Sequence, residues 1–334
     1  MRFLRHLPLL LLLGANVSAF PTGLLEKPAA WFKSDEGRRA TACVLSWQSP
    51  LGDWPKNQDN TRKPYDGDRK KLKGTFDNGA TTDELRYLAR AFAATGDAVC
   101  EKAFLAGFDH VLAAQYPNGG WPQYSPPGKQ YHRHITFNDN SMVRLLEFLR
   151  EVTAGRNYAF VNRERLAKAR AAFDRGVSCI VKCQVVVNGK LTVWCAQHDE
   201  TTLAPATARS YELPSLSGSE SAGILRFLMS LEKPSPEVER AVKAGVEWFE
   251  AAAIKGIRIE KVDGDRRVIE DPHAPALWAR FYDLETGKPF FCDRDGVKKA
   301  SLSEIGKERR NGYAWYGNWG ESVAKAYRKS APKP

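Results

Sequence analysis

Ala103–Gln115, AFLAGFDHVLAAQ, decides the fold, because its opening pattern returns twice further along the chain. Ala103-Phe104-x-x-Gly107-Phe108 recurs as Ala172-Phe173-x-x-Gly176-Val177 and as Ala241-Val242-x-x-Gly245-Val246, 69 residues apart both times. Each copy carries apolar residues at helical spacing, and the first two run on to a glutamine, Gln115 and Gln184. Each is preceded by a second amphipathic segment: Leu85–Phe92, Val143–Leu149 and Ile224–Met229. Small residues at a fixed point of the second helix let it pack closely on its neighbour. A lone helix pair cannot bury its apolar face, so three pairs at a regular period predict a toroid or solenoid of α-hairpins.

The helix ends agree with this reading. Thr82-Asp83-Glu84 places acids in a first turn, and Gly96 follows the end of the same helix. Ser217-Gly-Ser-Glu-Ser221 opens another helix, and Pro234 and Pro236 separate the two helices of the third pair. After about residue 255 the pattern breaks. Ile257–Ile269 alternates as short strands around Asp263-Gly264, and 271–296 is rich in loop residues. That region is expected to pack over one mouth of the toroid.

The first residues speak to compartment. A basic lead with Arg2 and Arg5, the apolar run Leu7–Leu13, and the small residues of Val17-Ser18-Ala19 predict a cleaved secretory signal over residues 1–19. The run is too short for a permanent membrane span. Its removal takes away Arg2 and Arg5 and no acid, lowering the formal net charge from +11 to +9. Residues 20–330 are then expected to form a single large domain, exported to a periplasm or out of the cell. The charge is spread, with no basic block or zinc knuckle to favour nucleic acid. An acidic polysaccharide is a fitting polyanion for such a surface; plain solubility would explain it as well. Nothing signals oligomerisation, and a monomer is expected.

Cys43, Cys100, Cys179, Cys183, Cys195 and Cys292 are even in number, which permits disulfides in an exported chain. Cys179 and Cys183 lie four apart on an expected helix, a poor spacing for bridging each other, so longer-range pairs are favoured.

Two loops are too long and varied to be mere connections: Gly119–Asn140, GGWPQYSPPGKQYHRHITFNDN, and Ala204–Ser221, APATARSYELPSLSGSES. They fall at comparable places relative to the hairpins, on what should be one face. Trp121, Tyr124, Tyr131, Trp315, Tyr316 and Trp319 have a composition that suits sugar-ring recognition, or else anchors the loops to the core. His132, His134, His198 and His273 lie in or near these stretches, without clear metal spacing; they read as hydrogen-bonding supports. A Ser-His-Asp site built on Ser217–Ser221 lacks a nucleophile elbow.

Six motifs carry a resemblance. They are Asp77-Asn78-Gly79-Ala80-Thr81-Thr82, Asn118-Gly-Gly-Trp-Pro-Gln-Tyr124, His134-Ile-Thr-Phe-Asn-Asp139-Asn140, Ala208-Arg209-Ser-Tyr-Glu-Leu-Pro-Ser215, Trp278-Ala-Arg280-Phe-Tyr282 and Gly312-Tyr-Ala-Trp-Tyr-Gly-Asn-Trp319. In this order, from about Ala40 to Trp319, the chain resembles the pectate lyases of polysaccharide lyase family 10. The resemblance implies an all-α (α/α)3 toroid of three helical hairpins, with long loops and a few short strands over one face. It also implies Ca2+-dependent cleavage of polygalacturonate (pectate) by anti-β-elimination, with an arginine as base.

By that resemblance Arg209 is the catalytic proton acceptor. Arg280 and Arg294 bind substrate carboxylates, and Asp77 and Asp139, with Asn78 beside them, hold the metal. The residue types suit the chemistry. Calcium prefers hard oxygen ligands, a guanidinium fork pairs bidentately with carboxylates, and neutralising a uronate carboxylate makes the adjacent C5 proton more acidic. Each residue also has a plainer reading. Asp77 and Asp139 precede helices and would serve as N-caps. Arg209 has Glu212 for an ion pair, and Arg280 and Arg294 have Asp283, Asp293 or Asp295. A carboxylate-dependent glycosidase and a non-catalytic polysaccharide-binding protein are the competing functional classes.

Overall fold

The computed structural model describes residues 20–330, so the expected signal segment, residues 1–19, lies outside the described residues. Among the described residues ten α-helices run in chain order: α1 Ala29–Lys33, α2 Asp35–Ser46, α3 Thr82–Thr95, α4 Ala98–Ala113, α5 Ser141–Thr153, α6 Arg163–Cys183, α7 Gly218–Met229, α8 Pro236–Ala251, α9 Lys307–Gly312 and α10 Trp319–Ser330. The three expected hairpins are α3–α4, α5–α6 and α7–α8. In a helical toroid of this kind the first helices touch one another in turn, α3 on α5 and α5 on α7, and the second helices do the same, α4 on α6 and α6 on α8. α10 closes against α7 and α8. The ends follow the sequence signals. Gly96 caps α3 with φ +72°, the Ser217 hydroxyl accepts from the Glu220 amide at the start of α7, and Ser235 does the same for α8 ahead of Pro236.

The terminal glutamines explain the period. Gln115 Nε2 donates to the carbonyls of Gly119 and Ala172, and Gln184 Nε2 to those of Thr192 and Ala241. Each glutamine thus ties the end of one outer helix to the repeat alanine of the next. Gln48, after α2, makes the same bonds to Gly52 and Ala103, so the ladder begins one layer earlier than the repeats announce. Trp54, Trp121 and Trp194 follow the three glutamines and donate their indole N–H groups to helix carbonyls of Val44, Val111 and Ile180. With Trp278 on Phe249 they pin each long loop to the helix before it.

The C-terminal region is a separate apolar layer. Ile257–Val262 and Asp265–Glu270 pair antiparallel around Asp263-Gly264, both at positive φ, as the alternation predicted. Tyr211, Phe281, Phe290, Phe291, Leu302, Ile305 and Trp315 form a second core under the loop that carries Arg209. The expected long-range disulfides are absent among the described residues. All six cysteines are free and buried, at separate places in the helices and loops, where they pack as small apolar groups. The sulfurs of Cys179 and Cys183, on one helix, lie 4.0 Å apart, about twice a disulfide bond.

Candidate active site

Two short turns in front of α3 and α5 build one wall. Phe76-Asp77-Asn78 and Phe137-Asn138-Asp139 share a backbone path in which the third residue, Asn78 or Asp139, takes φ near +55°. Asn and Asp tolerate this left-handed region better than most residues. The turns pack against each other, and Ser141 Oγ donates to the Phe76 carbonyl at 2.9 Å. Neither acid caps a helix. The caps of α3 and α5 are Thr81 and Asn140, and neither side chain makes a capping bond. The N-cap reading of Asp77 and Asp139 therefore fails, because both acids lie in the turns before the cap positions.

The Asp77 carboxylate is buried. Its Oδ2 takes an ion pair from Lys56 and a 2.7 Å hydrogen bond from Gln123 Nε2. Its Oδ1, together with the side-chain oxygens of Asn78 and Gln123, is buried without a hydrogen-bond partner. Unsatisfied buried oxygens are costly. A donor set of one carboxylate oxygen and neighbouring amide oxygens, on a turn packed against the one that carries Asp139, fits a hard cation such as Ca2+.

Arg280 forms the opposite wall. Its backbone N–H bonds the Trp315 carbonyl at 2.7 Å, and its carbonyl accepts from Gly218. It sits where the Leu216–Ser217/Phe281–Tyr282 pair meets the Trp278–Ala279/Tyr316–Gly317 pair. From there the buried guanidinium reaches Glu220 at 2.6 Å, Asn138 at 3.3 Å and Asp139 at 4.0 Å. Burial works against its charge, but Glu220 and the other acids outweigh it and hold the arginine more firmly protonated. Its Nε–H has no partner. The partners foreseen for Arg280 were Asp283, Asp293 or Asp295; the actual ones are Glu220 and Asp139. Asp283 is taken by Lys298.

Arg209 stands on a tight turn closed by the Glu212 amide on the Arg209 carbonyl at 2.8 Å. Glu212 grips its Nε at 2.7 Å and its Nη2, so the expected ion pair is present. Tyr313 lies between the two arginines, with Arg209 5.7 Å and Arg280 4.6 Å from its ring, and its hydroxyl donates to Glu212 at 2.6 Å. Burial lowers the affinity of Arg209 for its proton, yet Glu212 more than reverses this. Arg294 is exposed, shares Glu308 with Arg309 at 3.0 Å and 2.7 Å, and lies 6.0 Å from the Tyr211 ring. Arg309 stacks on the same ring at 4.6 Å.

The remaining candidates divide. Tyr124 and Tyr131 are half-buried around His132, whose proton affinity is lowered by burial and by Lys56. Trp121 and Trp315 are buried anchors with no face open to a sugar, and Tyr316 and Trp319 are partly buried against the core. His198 accepts from the Cys195 amide and donates to Leu203 O; burial lowers its pKa to about 4, as suits a neutral support. His134, Asp199 and Glu200 converge, which spacing had not suggested. Glu200 there is shared between His134 and Arg133, and Asp199 caps Thr201 and Thr202, so the group is internally satisfied. His273 is exposed. An open depression of about 510 Å³ lies between Lys129–His134 and Thr207–Ser210, with Arg209 on its wall. Lys56, Gln123, Glu220 and Tyr313 were not foreseen as site residues.

A family model described as pectic acid lyase matches residues 48–324. The chain belongs to the pectic acid lyase family. A mutant of the Family 10 polysaccharide lyase from Cellvibrio cellulosa, solved in complex with trigalacturonic acid, is 35% identical with a TM-score of 0.82, covering 94% of this chain and 98% of that one. A second structure of the Family 10 polysaccharide lyase from Cellvibrio cellulosa matches at 35% identity and TM-score 0.82, covering 93% and 97%. No curated protein sequence matches the chain. This polysaccharide lyase therefore sets its candidate chemistry on the loops of a helical toroid. Among the described residues no helix is long and apolar enough to cross a membrane.

Proposed function

We propose that this pectate lyase cleaves polygalacturonate by Ca2+-dependent anti-β-elimination, with Arg209 as the proton acceptor and Arg280 and Arg294 as carboxylate-binding residues. The observation that carries the reading is the pairing of an oxygen cradle with a buried cation. Asp77 Oδ1 and the Asn78 amide oxygen have no partner, and Arg280, whose Nε–H is unpaired, brings its Nη2 within 4.0 Å of Asp139 on the adjoining turn. Asp77, Asn78 and Asp139 would hold the ion. Bound there, Ca2+ would help neutralise the uronate carboxylate and so acidify the neighbouring C5–H.

Arg280 contributes in the same direction, because its charge is fixed by Glu220 and its spare N–H awaits an acceptor. In the elimination the C5 proton passes to Arg209, the C5–H electron pair becomes the C4=C5 double bond, and the C4–oxygen bond breaks with its electrons leaving on the glycosidic oxygen. Arg209 can accept a proton only as the neutral guanidine, which Glu212 opposes. Arg309, stacked on the same tyrosine, is the like charge that favours the neutral form. Arg294, on the exposed rim, suits a more distant uronate. We further propose export after removal of residues 1–19, a single domain over residues 20–330 and action as a monomer.

The test is polygalacturonate with and without a calcium chelator, followed by ultraviolet absorbance. The unsaturated product should absorb, and chelation should abolish the rise. New reducing ends without absorbance would identify a hydrolase, and binding without either product a carbohydrate-binding protein.

A further inference from the structure

The Asp77 carboxylate is divided: Oδ1 is unpartnered while Oδ2 carries the ammonium of Lys56. The two side chains differ in freedom. Asp77 is 3% exposed and further held by Gln123, whereas Lys56 is 28% exposed on a flexible four-carbon stem. Like charges cannot share one buried carboxylate at low cost, so a divalent ion on Asp77 expels the group that can move. That group is Lys56. Tyr131 marks where it goes, because this side chain lines the same depression as Arg209 and lies near enough to Lys56 to feel its charge. A displaced ammonium therefore stays between the metal cradle and Arg209, where a carboxylated sugar would lie.

We infer that Lys56 is an internal competitor for calcium at Asp77, and that the substrate carboxylate receives it when calcium enters, coupling the two binding events. The inference rests on the reading of Asp77 as a calcium ligand. Binding energy that Lys56 spends on Asp77 in the free protein is returned only when both ligands are present, which is the condition for positive coupling.

Calorimetric titration with Ca2+ tests this without any turnover. Lys56→Met should bind calcium about tenfold more tightly than the parent in the absence of substrate, a typical coupling magnitude. Lys56→Arg, which keeps the charge, should stay near the parent. In a turnover-blocked Arg209→Ala background, saturating trigalacturonate should tighten calcium binding several-fold, and adding Lys56→Met should erase most of that gain. Equal or weaker calcium affinity in a Lys56→Met protein with native circular dichroism would overturn the inference. So would the absence of any trigalacturonate effect in the Lys56-containing protein, which stands whether or not the methionine variant folds. If neither the parent nor the Lys56→Met protein takes up calcium at all, the calcium reading itself falls, and the inference with it.

Discussion

At the scale of single residues, the pair Arg209–Glu212 holds the central tension of the site. A proton acceptor needs its neutral form, yet Glu212 holds Arg209 charged through two hydrogen bonds. Arg209→Ala should lower kcat by at least about 10²-fold with little change in KM, the usual size of a lost acid–base group. Glu212→Gln should act differently: with the carboxylate charge gone, the alkaline rise in kcat should move to lower pH. Steady-state pH profiles of both variants check the pair, and an unmoved profile in Glu212→Gln would show that Glu212 only shapes the turn. Asp77, Asn78, Asp139 and Arg209 were picked out by the motifs around them and not by their types, since Asp and Asn are ordinary turn residues. Lys56 and Gln123 were not. Lys56 precedes a stretch of exposed lysines and arginines and looks like solubility charge, and Gln123 meets Asp77 from 46 positions away. Glu220 was hidden by its place in a helix first turn, where an acid is expected for the dipole alone.

At the scale of elements, the recurring glycines had the clearest sequence signal, and the structure separates their roles. A methyl group on Gly107 would lie 2.6 Å from the carbonyl oxygen of Gly52, a backbone atom that cannot yield. On Gly245 it would meet side-chain carbons of Leu225, the nearest at 2.7 Å, which can rotate away. Alanine gains up to about 1 kcal/mol over glycine inside a helix, while overpacking a rigid contact costs about 1–3 kcal/mol. Gly107→Ala should therefore lose stability by urea unfolding, and Gly245→Ala should stay within about 1 kcal/mol of the parent. Equal losses at both positions would mean that helix contact is uniformly tight. The α2 layer was missed for a related reason. Ala40 stands where the other outer helices have glycine, and Gln48 lies 67 rather than 69 residues before Gln115, so the copy falls out of register. Its glutamine bonds to Gly52 and Ala103 appear only once the layers are stacked.

At the scale of the whole molecule, two buried groups set opposing slopes of stability with pH. Glu84, at the start of α3, is buried beside Asp83 and accepts one bond from Asn60, on the loop that also carries Lys56 and Asn57. Burial raises its pKa from 4.5 to about 8. Between those values the unfolded chain has released a proton that the native state keeps, so stability falls as pH rises. His198 does the reverse. Its native pKa near 4 lies below 6.5, so between those values the unfolded chain binds a proton that the native state refuses, and stability rises with pH. The slopes oppose each other from about 4.5 to 6.5; above that window Glu84 acts alone. Urea midpoints should therefore be highest in or near that window and decline towards pH 8. Glu84→Gln keeps an acceptor for Asn60 but has no proton to lose, and should flatten the alkaline decline while leaving in place the acid limb, to which His198 and the ion-paired carboxylates contribute. A full alkaline decline in Glu84→Gln would mean that Glu84 is ionised in the native fold, and that the loop bearing Lys56 rests on a buried charge instead of a neutral acid.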